Sequence, residues 1–249
     1  MKPFSYDLFE AIKGKDLRHN FEGWDTLEKN YSECLQDVYV MSMVDGKKNG
    51  TYLEVGSDHP TFRSNTALLQ DNGWTGISFD INEEAVKEWN LVRGTGDGVD
   101  LPVGGTNRAY AMDATKINYD TLMHRHYGEH CRFTQNNVID YLQLDCDPPE
   151  VSYQAMLKIP WNFYQFRVIT YEHDDYFYDD QDYRTLSREF LTKRGYVLVA
   201  PNISPDEDRS RAFEDWWAHP QLIDKEILRK MTTYNDGNKT PIEYILGNI

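Results

Sequence analysis

Short β-rich runs that stop at or beside an acidic residue recur through the middle of this chain, and that alternation limits its fold more than any other feature. Residues 51–56, 74–80, 108–113, 138–145, 166–172 and 196–200 each read as a strand, bounded by glycine, proline or polar clusters. Helix-length segments lie between them, at 64–71, 83–93, 119–127, 151–158 and 184–194. Pro148-Pro149 breaks the chain before the fourth of these, and Gly195 stops the fifth. The first strand–helix–strand unit spans about 30 residues, the size of a βαβ crossover. Strands separated by helices predict an α/β fold, with a doubly wound, mainly parallel, Rossmann-like sheet of about six or seven strands. Residues 94–106 hold five glycines and read as a loop.

Upstream, Leu8, Phe9 and Ile12, then Leu27, Tyr31, Leu35, Val38 and Tyr39, recur at spacings of three and four, with Gly14 and Gly23 as breaks. One or two amphipathic helices are expected there. The chain therefore divides into a helical N-terminal extension, 1–45, and a Rossmann-like domain, 46–249, that includes the C-terminal tail. No repeat of solenoid or propeller period is present.

Composition bounds the partners. With 41 Asp+Glu against 26 Lys+Arg the net charge is −15, which argues against nucleic acid and against an anionic membrane surface. With 40% apolar residues, 6 Trp, 17 Tyr and 11 Phe, the chain has the material for a core. The purest apolar run is 196–200, far short of the roughly 20 residues of a spanning helix. The first 14 residues lack the apolar stretch of a signal peptide, so a cytoplasmic protein is expected. Cys34, Cys131 and Cys146 fit neither a disulfide framework nor a zinc pattern and read as buried thiols. Asn-x-Ser/Thr triplets at Asn30, Asn202 and Asn238 are then chance matches. The oligomeric state is left open.

Four of the strands end in Asp80, Asp113, Asp145 and Glu172, and the first carries Glu54 just before Gly56. In an open parallel sheet these ends share one edge, where such folds bind ligands. Gathered acids suit a ligand offering hydroxyls, amines or positive charge, or a divalent metal. Neither a Gly-x-Gly-x-x-Gly nor a Gly-x-x-x-x-Gly-Lys-Ser/Thr run follows the first strand. Glu172-His173-Asp174-Asp175 is the densest polar cluster, and His173 is a natural general base near neutral pH, with a strand end capped by its own acids as the plainer reading of the residues. The acids of 174–182 read as a solvated loop, and Phe213-Glu214-Asp215-Trp216-Trp217 as core or lid packing, with sugar stacking as the sharper alternative.

Leu53-Glu54-Val55-Gly56-Ser57-Asp58, followed by Ser64-Asn65-Thr66 and Gly73-Trp74-Thr75-Gly76-Ile77, resembles the first strand, helix and second strand of the FkbM-type methyltransferases. Residues 138–145 resemble their fourth strand, and Arg167-Val168-Ile169-Thr170-Tyr171-Glu172-His173-Asp174 their fifth; the likeness spans roughly 52–217. The resemblance implies a class I methyltransferase fold, S-adenosylmethionine as cofactor and transfer to a hydroxyl oxygen of a small-molecule or glycan-like acceptor. It implies that Glu54, Gly56 and Ser57 border the methionine part of the cofactor, that Asp80 takes the ribose hydroxyls, and that Asp113 and Ala114 sit by the adenine. Asp145, Glu172 and His173 are the expected catalytic residues; a divalent metal on them is compatible but not expected. The sequence departs from the family at His59-Pro60, where a second glycine is usual, and at Asp147-Pro148-Pro149, where Glu-Gly is common. Two other readings stay open: a non-catalytic binding or assembly module that keeps the fold, and a metal-dependent hydrolase or sugar-modifying enzyme.

Overall fold

The structure, a computed structural model, describes residues 7–95, 104–134, 137–175, 182–233 and 237–247. Among these, seven strands form one sheet: β1 (Thr51–Val55), β2 (Thr75–Asp80), β3 (Asn107–Ala111), β4 (Val138–Leu144), β5 (Gln165–Glu172), β6 (Val197–Ile203) and β7 (Glu214–Ala218). Their spatial order is β3-β2-β1-β4-β5-β7-β6. The first five are parallel, while β7 runs antiparallel between β5 and β6. The chain moves outward from β1 through β2 to β3 and then restarts on the other side at β4. That reversal between β1 and β4 opens a crevice at the carboxyl ends of the strands.

Helices cover both faces of the sheet. Tyr52, Tyr141, Val168 and Trp216 point into one core with α2 (Gln36–Met43), α8 (Lys225–Met231) and α9 (Pro241–Leu246). Leu53, Val55, Ile77, Leu142 and Ile169 point into the other, with α5 (Tyr119–Thr134), α6 (Pro149–Lys158) and α7 (Tyr183–Lys193). The alternation along each strand is the period of two that a sheet imposes. β1 is buried at every residue, as a central parallel strand must be. Local signals set the helix ends: the Asn82 side chain accepts from the N–H groups of Glu84 and Ala85 to start α4 (Glu83–Val92), and Thr240 with Glu243 forms a capping box on α9.

The segment before β1 departs from an amphipathic pattern. α1 (Asp7–Ile12) packs against α9, an irregular stretch holds a 3-10 turn (Trp24–Thr26), and α2 is buried at all eight residues. α2 lies on β5 and touches both α3 (Ala67–Asp71) and α8, so it has no solvent face to make polar. Tyr39 of α2 stacks on Trp216 of β7 with ring centroids 4.4 Å apart. β7 is the strand that residues 213–217 conceal from a sequence reading. Trp216 and Trp217 are both core, which retires sugar stacking for them.

Asp113 lies two residues beyond β3 and caps a 3-10 turn at Ala114–Lys116, and Asp145 follows the last residue of β4. The glycine-rich loop is described only at its ends, 94–95 and 104–106; Tyr176, Phe177 and Tyr178 of the acidic loop lie outside the described residues. Cys34 and Cys146 are free thiols. Among the described residues no helix is long and apolar enough to cross a membrane.

Candidate functional site

A cleft of about 850 Å³ opens at the carboxyl ends of the strands, over the β1/β4 reversal. Eight of the nine residues singled out from the sequence line it: Glu54, Gly56, Ser57, Asp80, Asp113, Ala114, Asp145 and Glu172. His173 does not.

The loop leaving β1 is held by backbone and acid together. The N–H groups of Gly56 and Ser57 both donate to the Phe79 carbonyl, at 2.9 and 3.1 Å. Gly56 has φ +91°, and a Cβ built on it would overlap the carbonyl oxygen of Asp145. Its lack of a side chain is thus demanded by close approach of two strand ends, β1 and β4, and not by a ligand. His59 stands where a second glycine was expected, and its Nδ1 accepts from the N–H groups of Thr61 and Phe62, closing the turn by a side-chain route.

Asp80, at the end of β2, accepts the Asp58 N–H on one oxygen and the Asn82 N–H on the other, each at 2.8 Å. Each carboxylate oxygen keeps a second acceptor site directed by those bonds. Glu54 is buried and accepts from Thr66 Oγ1 at 2.7 Å and from the Ser78 hydroxyl. Burial raises its pKa, and the Arg93 guanidinium with the two hydroxyls pulls it back. Arg93 reaches Thr66 Oγ1 at 2.9 Å and Ser64 Oγ at 2.9 Å. Glu54 therefore organises the floor of the cleft. Asp113 is held at a pKa of about 2 by Lys116 and by both donors of Thr115.

The other half of the cleft is different. Asp145 and Glu172, half-buried at the adjacent ends of β4 and β5, share a hydrogen bond. Desolvation lifts Asp145 to about 6. Glu172 is pushed well above the usual range by desolvation and then by the Asp145 and Asp174 charges, so it is the partner that holds the proton. Glu33 and Asp174 line the same wall, and burial raises Glu33 despite Arg63 and Arg211. Asn65 Nδ2 donates to Asp145 Oδ2 at 3.4 Å.

His173 is buried with its Nδ1 accepting the Asp175 N–H at 3.3 Å and its Nε2 3.6 Å from Asp215 Oδ1. Asp215 is also gripped by Arg188 through two bonds, at 2.7 and 2.8 Å. Burial would raise the Asp215 pKa, but Arg188 and His173 together hold it below the ordinary carboxylate range. A general base facing the cleft was expected of His173; its ring belongs instead to this buried ion cluster on β7 and α7. The backbone still pairs at His173, whose N–H donates to the Phe213 carbonyl, and side chains alternate along a strand, so the residue after Glu172 falls on the other face.

The sequence reading missed Ile81 and Met112, exposed apolar side chains on the cleft wall beside Asp80 and Asp113, and Asn65, Glu33, Arg63 and Arg211. An apolar residue directly after a strand-ending acid was a usable signal for Ile81. Glu33 and Arg211 come from segments distant in sequence and carried none. Among the described residues no group of three or more His, Cys, Asp or Glu is arranged to hold a metal ion.

The strand order, the antiparallel β7 and the cleft over the reversal define a Rossmann-like methyltransferase fold. No protein-family model matches the chain, and no curated protein matches it. Among solved structures it is similar to a candidate rRNA methylase of Clostridium thermocellum, with TM-score 0.46 and 14% identity over 77% of this chain and 97% of that one. It is similar also to a candidate RNA methyltransferase of Pyrococcus horikoshii, with TM-score 0.46 and 13% identity over 86% and 96% of the two chains. A third is fibrillarin of Aeropyrum pernix with natively bound S-adenosyl-L-methionine, with TM-score 0.42 and 13% identity over 69% and 67%. These likenesses correct one expectation. Net charge was read as excluding nucleic acid, yet two of the three structures are named as RNA-modifying proteins, and the exclusion is withdrawn. A charge of −15 is a sum over the whole surface and does not fix the field at any one face.

Proposed function

We propose that the chain is an S-adenosylmethionine-dependent methyltransferase, with the cofactor in the half of the cleft made by β1, β2 and β3 and the acceptor in the half made by β4 and β5. The observation that carries this reading is the convergence of Glu54, Gly56, Ser57, Asp80, Asp113 and Ala114 on one cleft at the strand reversal. The residues present fit the cofactor. Asp80 retains acceptor sites for a pair of ribose hydroxyls, the role an acid plays after the second strand of dinucleotide folds. Ser57 Oγ is buried on the cleft wall without a partner, as a group awaiting a ligand would be. Ile81 and Met112 offer exposed apolar surface to a flat ring, beside Asp113 and Ala114. Bound there, the cofactor would supply an electrophilic methyl group.

The FkbM subclass, and with it a hydroxyl acceptor on a small molecule or glycan, rests on the segment resemblance alone. Among the described residues that line the cleft there is no histidine to serve as a base for an alcohol. A base for an alcohol was sought in His173, which lies outside the cleft lining. Calorimetric titration with S-adenosylhomocysteine tests the reading. Binding in about the micromolar range is expected, as for an enzyme working near its substrate concentration. Failure to bind at millimolar ligand would overturn it.

A further inference from the structure

The wall of the cleft at β4 and β5 is unusual in what it asks of a ligand. Asp145 and Glu172 face each other there, and Asn65 is nine-tenths or more buried beside them with its Oδ1 lacking any partner. The amide orientation is fixed by its other end, since only an Nδ2 can donate to Asp145 Oδ2 at 3.4 Å. The free atom is therefore an acceptor. The carboxyl pair keeps its one proton between its own members, and with the Asn65 amide oxygen on the same lining it leaves a ligand only acceptors to meet, while an acceptor buried without a donor costs roughly 1–3 kcal/mol. A hydroxyl brings one hydrogen, an ammonium three. Charge points the same way. Nine carboxylate residues line the cleft, against Arg63 and Arg211. Each of those two cations already meets an acid, Arg63 at Glu33 and Arg211 at Asp206.

We propose that Asp145, Glu172 and Asn65 form a subsite for a primary amine, bound as its ammonium. That this amine belongs to the acceptor rests on the methyltransferase reading; the subsite itself does not. Entry of the cation replaces the proton shared by the two carboxyl groups, so binding releases a proton. The charges that act on the pair are those of Glu33, Asp174 and Glu214, and Arg63 and Arg211 act in turn on Glu33.

The experiment uses the full chain saturated with S-adenosylhomocysteine and compares n-butylammonium with n-butanol by calorimetry near neutral pH. The ammonium should bind about tenfold or more tighter than the alcohol, the scale of hydrogen bonds to charged groups. Repeating the titration in buffers of different ionisation enthalpy should show proton release. Glu172→Gln and Asn65→Leu should each erase most of the preference for the ammonium while leaving the affinity for S-adenosylhomocysteine unchanged. Equal binding of ammonium and alcohol by the unmodified chain overturns the proposal, whatever the variants do. Loss of S-adenosylhomocysteine affinity in both variants, with the melting temperature intact, also overturns it, because the pair would then hold the cofactor's own ammonium. If the unmodified chain binds no S-adenosylhomocysteine but still prefers the ammonium in a Glu172-dependent way, the subsite stands and the methyltransferase reading falls.

Discussion

In the half of the cleft built on β1, β2 and β3, the acids already have partners. Asp80 holds two backbone N–H groups, Glu54 two hydroxyls, and Asp113 a threonine and a lysine. In the half built on β4 and β5, Asp145 and Glu172 have chiefly each other, and both titrate high. The residue type and its place at a strand end are the same in the two halves. Donors supplied by the surrounding loops make the first set structural carboxylates that still present lone pairs, and their scarcity makes the second set a proton-sharing pair that a cation would relieve.

The largest effect expected is at the seam between the halves. Gly56→Val must move the Asp145 backbone and also adopt φ +91°, which a valine resists. Unfolding should become easier by about 3 kcal/mol or more, seen as a drop in melting temperature. Cofactor affinity would fall with the fold, so this variant tests the seam and not the ligand. A melting temperature equal to that of the unmodified chain would show that the two strand ends do not meet as described.

Asp80→Ala comes next and probes the first half alone. It leaves the N–H groups of Asp58 and Asn82 without their acceptor and removes the proposed ribose contact, so S-adenosylhomocysteine should bind more weakly by about 1.5–3 kcal/mol, with a modest loss of melting temperature. Unchanged affinity in a folded variant would separate Asp80 from the ligand.

Glu172→Gln should give the smallest change and one of opposite sign. A carboxyl group whose folded pKa is raised holds its proton longer in the folded state, so its stability contribution is complete below the unfolded value and declines as pH rises toward the folded one. For Asp145 that window runs from the ordinary aspartate value of 3.8 to about 6, and Glu172 extends it upward. The glutamine removes one of the two charges, so the ligand-free variant should melt slightly higher than the unmodified chain at about pH 8 and no higher at about pH 4. A lower melting temperature at the alkaline end would make the second half structural like the first.

Local pattern was enough for the strands that follow it. Runs such as Thr75–Asp80 and Val138–Leu144 are β-branched or aromatic, end at an acid or just before one, and are separated by helix-length segments, so the parallel half of the sheet and its acidic edge were readable. Asp80, Asp113, Asp145 and Glu172 sit at that edge because the chain enters each strand from the same end. β7 was not readable, since a strand written Glu-Asp-Trp-Trp-Ala carries two buried acids that only distant residues make tolerable. Arg188 and His173 hold Asp215, while Trp216 and Gln36 hold Glu214. The burial of α2 on all sides, the turning of His173 away from the cleft, and the meeting of Asp145 with Glu172 likewise depend on which elements become neighbours. The sequence by itself determined where strands stop and which residue stops them, because backbone propensity and side-chain period act over a few residues. Only the tertiary structure decided which carboxylates found donors and which found each other, because that depends on contacts between segments up to two hundred residues apart, and the cost of leaving a buried charge or dipole unmatched is settled there.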